Sequence, residues 1–285
     1  MEFNIRKNFC SRFGSEGLLA EFDFSQLEVA ALAEISNDAI LLDEVNNGID
    51  IHRENAALWL RCDPKYVSNA QRKKAKIMTF QLQYGAGPAK MAESLKISKI
   101  DARNFIDTFY LKYSGIERFH SMLKGIRDRH QSLLDLQTIG QDRYKVTLTE
   151  FSPTGRVYTI PARFDTNKSR WYISLTEMKN YPVQGFATAD VVPFIINRIN
   201  LQLHSISTEA KLINTVHDSF VIDSTEEAFI DVLKLVENVF SNFPEDFYNS
   251  FDYKLKAVYN YDVKFGWNLS EEDMKKLTRE EVQAL

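Results

Sequence analysis

Cysteine is nearly absent: the 285 residues hold only Cys10 and Cys62, far apart and not in a C-x-x-C pair. That excludes a disulfide framework and points to a reducing compartment. The five histidines show no metal-ligand spacing such as H-E-x-x-H, which argues against a structural zinc site. No signal-peptide pattern and no apolar run of membrane length is present, so the expected location is intracellular, with no membrane partner. Internal repeats and low-complexity linkers are lacking as well. Excess charge is small, −4 overall. Taken alone this argues weakly against nucleic acid, but binding follows local patches and not the sum.

What is present is a folding chain. Apolar residues make up 44%, with 20 Phe and 12 Tyr, enough for one large domain or two modest ones. Arg61, Lys65, Arg72, Lys73, Lys74, Lys76 and Lys90 crowd one basic segment, while acidic residues gather in the C-terminal third, as in SEEDMKKLTREE. GLLAEFDF (17–24) reads as a buried strand. SQLEVAALAEIS then turns helical, with Ser25 and Glu28 at capping-box spacing. Residues from about 50 to 129 read as mainly helical, with breaks at Asp63-Pro64, from Gly85 to Pro88 and near Ser114-Gly115. RYKVTLTEFSPTGRVYTIPAR alternates like a hairpin, and TADVVPFIINRINLQLHSI like a helix that Pro193 kinks or starts late. Ser224 and Glu227 repeat the capping-box spacing before EEAFIDVLKLVENVF. The expected arrangement is a small sheet backed by helices, with a helical insertion after its first strand.

Two features carry chemistry. In NTVHDSFVID (214–223), two β-branched apolar runs flank His217-Asp218, which puts a carboxylate at the tip of a hairpin. Asp23 likewise ends a strand. Aspartate suits turns in its own right, but carboxylates on two strand ends also suit a hard divalent cation, and a metal pair clamps a phosphoryl transfer. In RKKAKIMTFQLQYG, Arg72, Lys76, Phe80 and Tyr84 recur every four residues. On a helix they form a slowly spiralling stripe roughly 18 Å long. Two cations followed by two aromatics suit a nucleotide, with charge for the triphosphate and rings for the base. An amphipathic helix with core aromatics is the plainer alternative.

DFSQLE, RKKAKIMTFQLQYG and VHDS, in this order and spacing, resemble motifs A, B and C of family A DNA polymerases, the bacterial polymerase I type. NIRKNF, DIHRENAA, TGRVYTIP, NYPVQGFATAD and FGWN extend the resemblance over nearly the whole chain. It implies template-directed DNA synthesis with primer–template DNA and dNTPs as partners, in a bacterial or phage-infected cytoplasm. Asp23 and Asp218 would bind two Mg²⁺ ions, with the Phe24 backbone carbonyl as a further ligand. Arg72 and Lys76 would hold the triphosphate, with Lys76 also neutralising charge as pyrophosphate leaves. Phe80, Tyr84, His52 and Gln26 would complete the nucleotide site, and Glu28 would exclude a 2′-hydroxyl. Asn180, Gln184, His217 and Arg156 would touch primer or template. Without the motifs, Glu28 reads as a helix cap, His217 as a core histidine, Gln184 as a packing amide and His52 as a surface residue.

The chain also departs from the family pattern. Ala30 stands where an arginine is usual, Gln81 where motif B commonly has glycine, and Ser219 where motif C has a glutamate. The Ser219 change removes one negative charge but leaves a hydroxyl for a metal-bound water. A single-subunit RNA polymerase shares such motifs, yet the gate glutamate argues against it, and a non-catalytic primer–template binding module would not need both aspartates. The implied fold class is α/β (α+β): a right-hand palm with an antiparallel sheet (1–40 and 143–285) and helical fingers (41–142). The family's thumb lies upstream of motif A and is expected to be absent from this chain. The expectation is therefore one piece of a split or cut polymerase, with a second polypeptide carrying the thumb and perhaps an exonuclease.

Overall fold

The computed structural model describes residues 4–206 and 209–285. By contact density it divides into two compact units, Met1–Leu27 with Ala187–Leu285, and Glu28–Phe186. This partition cuts the chain at different points from the palm and fingers boundaries expected at 40 and 142. The hairpins that follow residue 143 fall with the helical unit.

The first unit is built on an antiparallel sheet. Its strands are β1 (Gly17–Ser25), β6 (Ala210–Val216), β7 (Ser219–Thr225), β8 (Asn260–Gly266) and β9 (Lys275–Thr278), in the order β6-β7-β1-β8-β9. β1 lies at the centre. Its even positions Ala20, Phe22 and Phe24 are buried, while Asp23 between two of them is exposed, as a two-residue period requires. Phe22 stacks on Phe220 at 4.9 Å and meets Tyr261 at 5.7 Å, and Phe24 meets Phe240 at 5.2 Å. Phe240 belongs to α10 (Glu226–Phe251), which packs with α9 (Val192–Ile206) against this face. The cap of α10 is Thr225, whose side chain accepts from Ala228 N; the expected cap, Ser224, lies inside β7. A short α11 (Arg279–Gln283) closes the chain.

The second unit is helical: α1 (Leu27–Ser36), whose first residue belongs to the sheet unit, α2 (Ala39–Asn46), α3 (Ile51–Leu60), α4 (Asn69–Gln83), α5 (Pro88–Leu95), α6 (Lys99–Lys112), α7 (Ser114–Asp135) and α8 (Leu175–Gln184). The breaks expected near Pro64, Gly85 and Ser114 are observed. Two small hairpins accompany the helices. The first is the expected one, β2 (Lys145–Leu148) with β3 (Tyr158–Pro161); the second, β4 (Arg163–Asp165) with β5 (Arg170–Tyr172), is additional. The helix expected from Thr188 begins earlier, because α8 and a π-helical turn at Gly185–Val191 precede α9. Ser25 is the last residue of β1 and α1 starts at Leu27, one residue beyond the helix start that a Ser25 cap implies.

One buried carboxylate joins two helix starts. Asp38 accepts from Leu41 N through Oδ1 (2.9 Å), capping α2. Its Oδ2 accepts from Gly115 N (2.6 Å) and Ile116 N (3.4 Å) at the start of α7. Position 115 has no room for a side chain, since a Cβ there would lie 2.6 Å from the Asp38 Cα. Asp38→Ala removes a cap and strands buried N–H groups, so unfolding stability should fall by about 2–4 kcal/mol. Asp38→Asn, which keeps an acceptor, should lose less; urea denaturation of the two variants checks the order.

Candidate active site

In the sheet unit, Asp23 and Asp218 come together through backbone pairing. β1 and β7 run antiparallel with Asp23 opposite Ser219, and the Phe24 N–H donates to the Asp218 carbonyl at 2.9 Å. His217 and Asp218 form the two-residue connection between β6 and β7, with His217 at φ 55°. That left-handed conformation is uncommon for a residue with a Cβ and occurs most often in tight turns and functional sites. Burial, and then the negative charge of Asp218, push the Asp23 carboxyl above its usual range, with Lys264 opposing. Two neighbouring carboxylates of this kind suit a shared cation. Their all-oxygen donor set is the type a hard divalent ion takes. Among the described residues no group of three or more His, Cys, Asp or Glu side chains is gathered to hold a metal. The Ser219 hydroxyl donates to Val216 O (3.0 Å) within the hairpin, which fixes its hydrogen and leaves its lone pairs to accept. Gln26, at φ 52°, turns the chain out of β1, and its Oε1 is buried without a partner among the described residues.

In the helical unit, a second group of the expected residues meets. Ser68 caps α4 in a capping box with Gln71. Arg72, Lys76 and Phe80 then follow along the helix, and Tyr84 is its C-cap residue, one position past the last helical turn. Phe80 and Tyr84 stack nearly parallel at 6.3 Å, and the Lys76 ammonium lies 5.7 Å from the Phe80 ring centre. His52, on α3, meets the other side of this group, 5.7 Å from Phe80. Its ring is 2% exposed, and burial, then Lys76 and Arg72, lower its pKa to about 4. At neutral pH it is uncharged, so it offers hydrogen bonds and no positive charge.

Tyr84 also ties Glu28 to Gln184. Its hydroxyl donates to Glu28 Oε2 at 2.7 Å and accepts from Gln184 Nε2 at 3.1 Å. Burial and the Glu28 carboxylate push the phenol up to about 12. Asn180, one helical turn before Gln184, has a buried Oδ1 without a partner among the described residues. Arg156 is exposed in the loop between β2 and β3. Sequence reasoning assigned no role to Asp50, which caps α3 and also accepts from Arg72 Nε at 2.6 Å. Nor did it single out Asp262, opposite Asp23 on β8. Asp50 was visible as an aspartate opening a helical run; the register of β8 had no local signal.

A family model described as DNA polymerase family A matches residues 1–268. The chain belongs to DNA polymerase family A. A DNA polymerase of Bacillus phage SP01 is 28% identical over 250 residues, covering 87% of this chain and 25% of that protein. DNA polymerase I of Lactococcus lactis subsp. cremoris is 28% identical, covering 82% and 24%. DNA polymerase theta of Mus musculus is 29% identical, covering 68% and 7%. This family A chain thus spans about a quarter of the length of the first two relatives. Among solved structures, the POL domain of Pol1 from M. smegmatis, in complex with DNA primer-template and dNTP, shares the fold. Its TM-score is 0.70 at 21% identity, over 93% of this chain and 42% of that one.

The buried imidazoles of this family A chain make its stability pH-dependent. His52, and His120 at about 3, are neutral when folded and take up protons more readily when unfolded, where the pKa is about 6.5. Stability is therefore full above about pH 6.5 and falls as the pH drops towards 4, by on the order of 2–3 kcal/mol per histidine. Urea midpoints measured across this window should show the slope, and His52→Gln should flatten it.

Proposed function

We propose that this chain catalyses template-directed DNA synthesis, in which a primer 3′-hydroxyl attacks the α-phosphate of a deoxynucleoside triphosphate. The observation that carries the reading is the pairing of two strand-end carboxylates, Asp23 and Asp218, through the Phe24 N–H···O=C Asp218 bond. Family membership implies a divalent metal, and the oxygen donors fit Mg²⁺. When bound, a pair of such ions supplies charge stabilisation for the attacking and leaving oxygens. Asp23, Asp218 and the Phe24 carbonyl are the protein oxygens assigned to hold them. We assign residues 1–40 and 143–285 to the palm and residues 41–142 to the fingers.

The remaining roles fall to side chains that bind and orient. Arg72 and Lys76 are the cations for the triphosphate; among the described residues the Lys76 ammonium has no carboxylate partner, so its charge is available. Phosphoryl transfer is mostly positioning and electrostatics, which this pairing of charge with aromatic surface supplies. Phe80, Tyr84 and Gln26 are assigned to the nucleotide, and His52 as a neutral hydrogen-bonding partner. Asn180, Gln184, His217 and Arg156 are assigned to primer or template. Glu28, held by Tyr84, is assigned to exclude the 2′-hydroxyl. Cys10 and Cys62 are free thiols, which fits a reducing cytoplasm. Among the described residues no helix is long and apolar enough to cross a membrane.

Primer extension with Mg²⁺ tests the reading. Asp23→Ala and Asp218→Ala should each lower incorporation by about 10³-fold or more while changing duplex affinity less than about threefold. Near-normal incorporation by either variant would sink the metal assignment. Sugar selection is read separately. Glu28→Ala should raise ribonucleotide use relative to deoxynucleotide use by about 10- to 100-fold. Tyr84→Phe, which releases Glu28 without deleting it, should shift the same ratio in the same direction by less. Unchanged ratios would leave Glu28 with a structural role only.

A further inference from the structure

Arg72 is the first cation of the α4 stripe, and its environment is asymmetric. Its Nε donates to Asp50 Oδ2 at 2.6 Å. Among the described residues its two Nη atoms have no partner. A guanidinium offers five donors in a rigid planar fork. Fixing the Nε side therefore fixes the plane and aim of the rest. Asp50 is itself held, because it is the N-cap of α3 and its Oδ1 accepts from Arg53 N at 3.1 Å. Burial opposes its ionisation, but the hydrogen bonds from Arg72 and the Arg53 N–H, together with the Arg72 charge, keep its carboxyl below the usual range. His52 sits two residues further along the same helix start, against Phe80. One carboxylate thus ties the beginning of α3 to the first cation of α4.

We propose that Asp50 is a positioning residue: it anchors Arg72 by Nε and leaves the Nη pair pre-aimed for the triphosphate of the incoming nucleotide. This rests on the nucleotidyl-transfer reading above and adds to it a residue that touches neither substrate nor metal. A long cation left free in solvent must be ordered each time an anion binds. An anchored one presents a preformed charge-assisted fork, and the difference shows in binding more than in the chemical step. The ion pair also keeps Arg72 within the group formed by His52, Lys76 and Phe80.

The cap and the anchor can be separated. Serine caps helices about as well as aspartate but is too short to serve Arg72 as well, so Asp50→Ser keeps the cap and drops the anchor. Asp50→Asn keeps one acceptor oxygen for the cap and places an amide NH₂, a donor, where Oδ2 accepted from Arg72. Three measurements on the full chain decide the matter: the urea midpoint, calorimetric affinity for inorganic tripolyphosphate, and dNTP KM and kcat in primer extension. Asp50→Ser is expected to keep the wild-type midpoint and to lose about tenfold in tripolyphosphate affinity and in kcat/KM, the latter through KM with kcat within about twofold. Asp50→Asn, whose one acceptor oxygen serves the cap, should lose about as much as Asp50→Ser, and Asp50→Ser should add nothing to Arg72→Ala in the double variant. Unchanged or tighter tripolyphosphate binding by Asp50→Ser, or additive losses in the double variant, would overturn the proposal and leave the polymerase reading standing. Asp50-dependent tripolyphosphate binding by a wild-type chain that incorporates no nucleotide would support the anchor and sink the polymerase reading.

Discussion

The register between β1 and β7 is the constraint on which the rest of the site depends. Phe22 and Phe24 point into the core and Asp23 points out, because side chains alternate along a strand. A slip of one residue would bury the carboxylate and expose two aromatics, so the apolar core enforces the chemical geometry. Phe22 stacked on Phe220, with Tyr261 and Phe240 around them, makes that slip expensive. With the register set, the hairpin tip delivers Asp218 to the end of β1 through a backbone hydrogen bond, independent of any side-chain rotamer. Burial first, and then the charge of Asp218, raise the Asp23 carboxyl above its usual range.

The helical unit solves a different problem, that of gathering positive charge without dispersing it. Arg72 is anchored by a carboxylate that α3 already needs as its cap, and Lys76 has no carboxylate partner among the described residues and lies beside the Phe80 ring. His52 is kept neutral by burial and by these neighbours, so it adds hydrogen-bonding capacity without further repulsion. Glu28, the negative group that Tyr84 engages, is bonded directly to the phenol hydroxyl, which restrains where its charge can lie.

Residues 269–285 lie beyond the matched family region and are nonetheless integrated into the sheet unit. β9 extends the sheet past β8, and Lys276 donates to Asp262 at 2.9 Å, on the strand next to Asp23. Arg279 pairs with Glu237 through Nε and one Nη (2.8 and 2.9 Å) and packs over Phe240 and Tyr261. These are the same rings that lie under β1, so the end of the chain braces the strand that carries Asp23. The charged run SEEDMKKLTREE is thus partly a structural strap.

The sequence by itself determined whatever is local or periodic. β1, the helices from α3 to α7 with their breaks, the β2–β3 hairpin and the carboxylate at a hairpin tip follow from alternation, helical spacing and turn chemistry. The ordered motifs pointed to the polymerase family before any contact was known. Only the tertiary structure decided which distant groups meet. Glu28 has capping-box spacing from Ser25, yet its observed partner is the Tyr84 hydroxyl, because a hydrogen bond across elements leaves no trace in spacing. Ser224 gave way to Thr225 as a cap because strand pairing runs through Ser224 and delays the helix. Asp50 reads as a helix cap, and nothing nearby shows that its second oxygen holds Arg72. Burial made His52 neutral where exposure would have left it titrating near neutrality. Local propensity decides what a segment forms, whereas protonation states and partners depend on what packs around it.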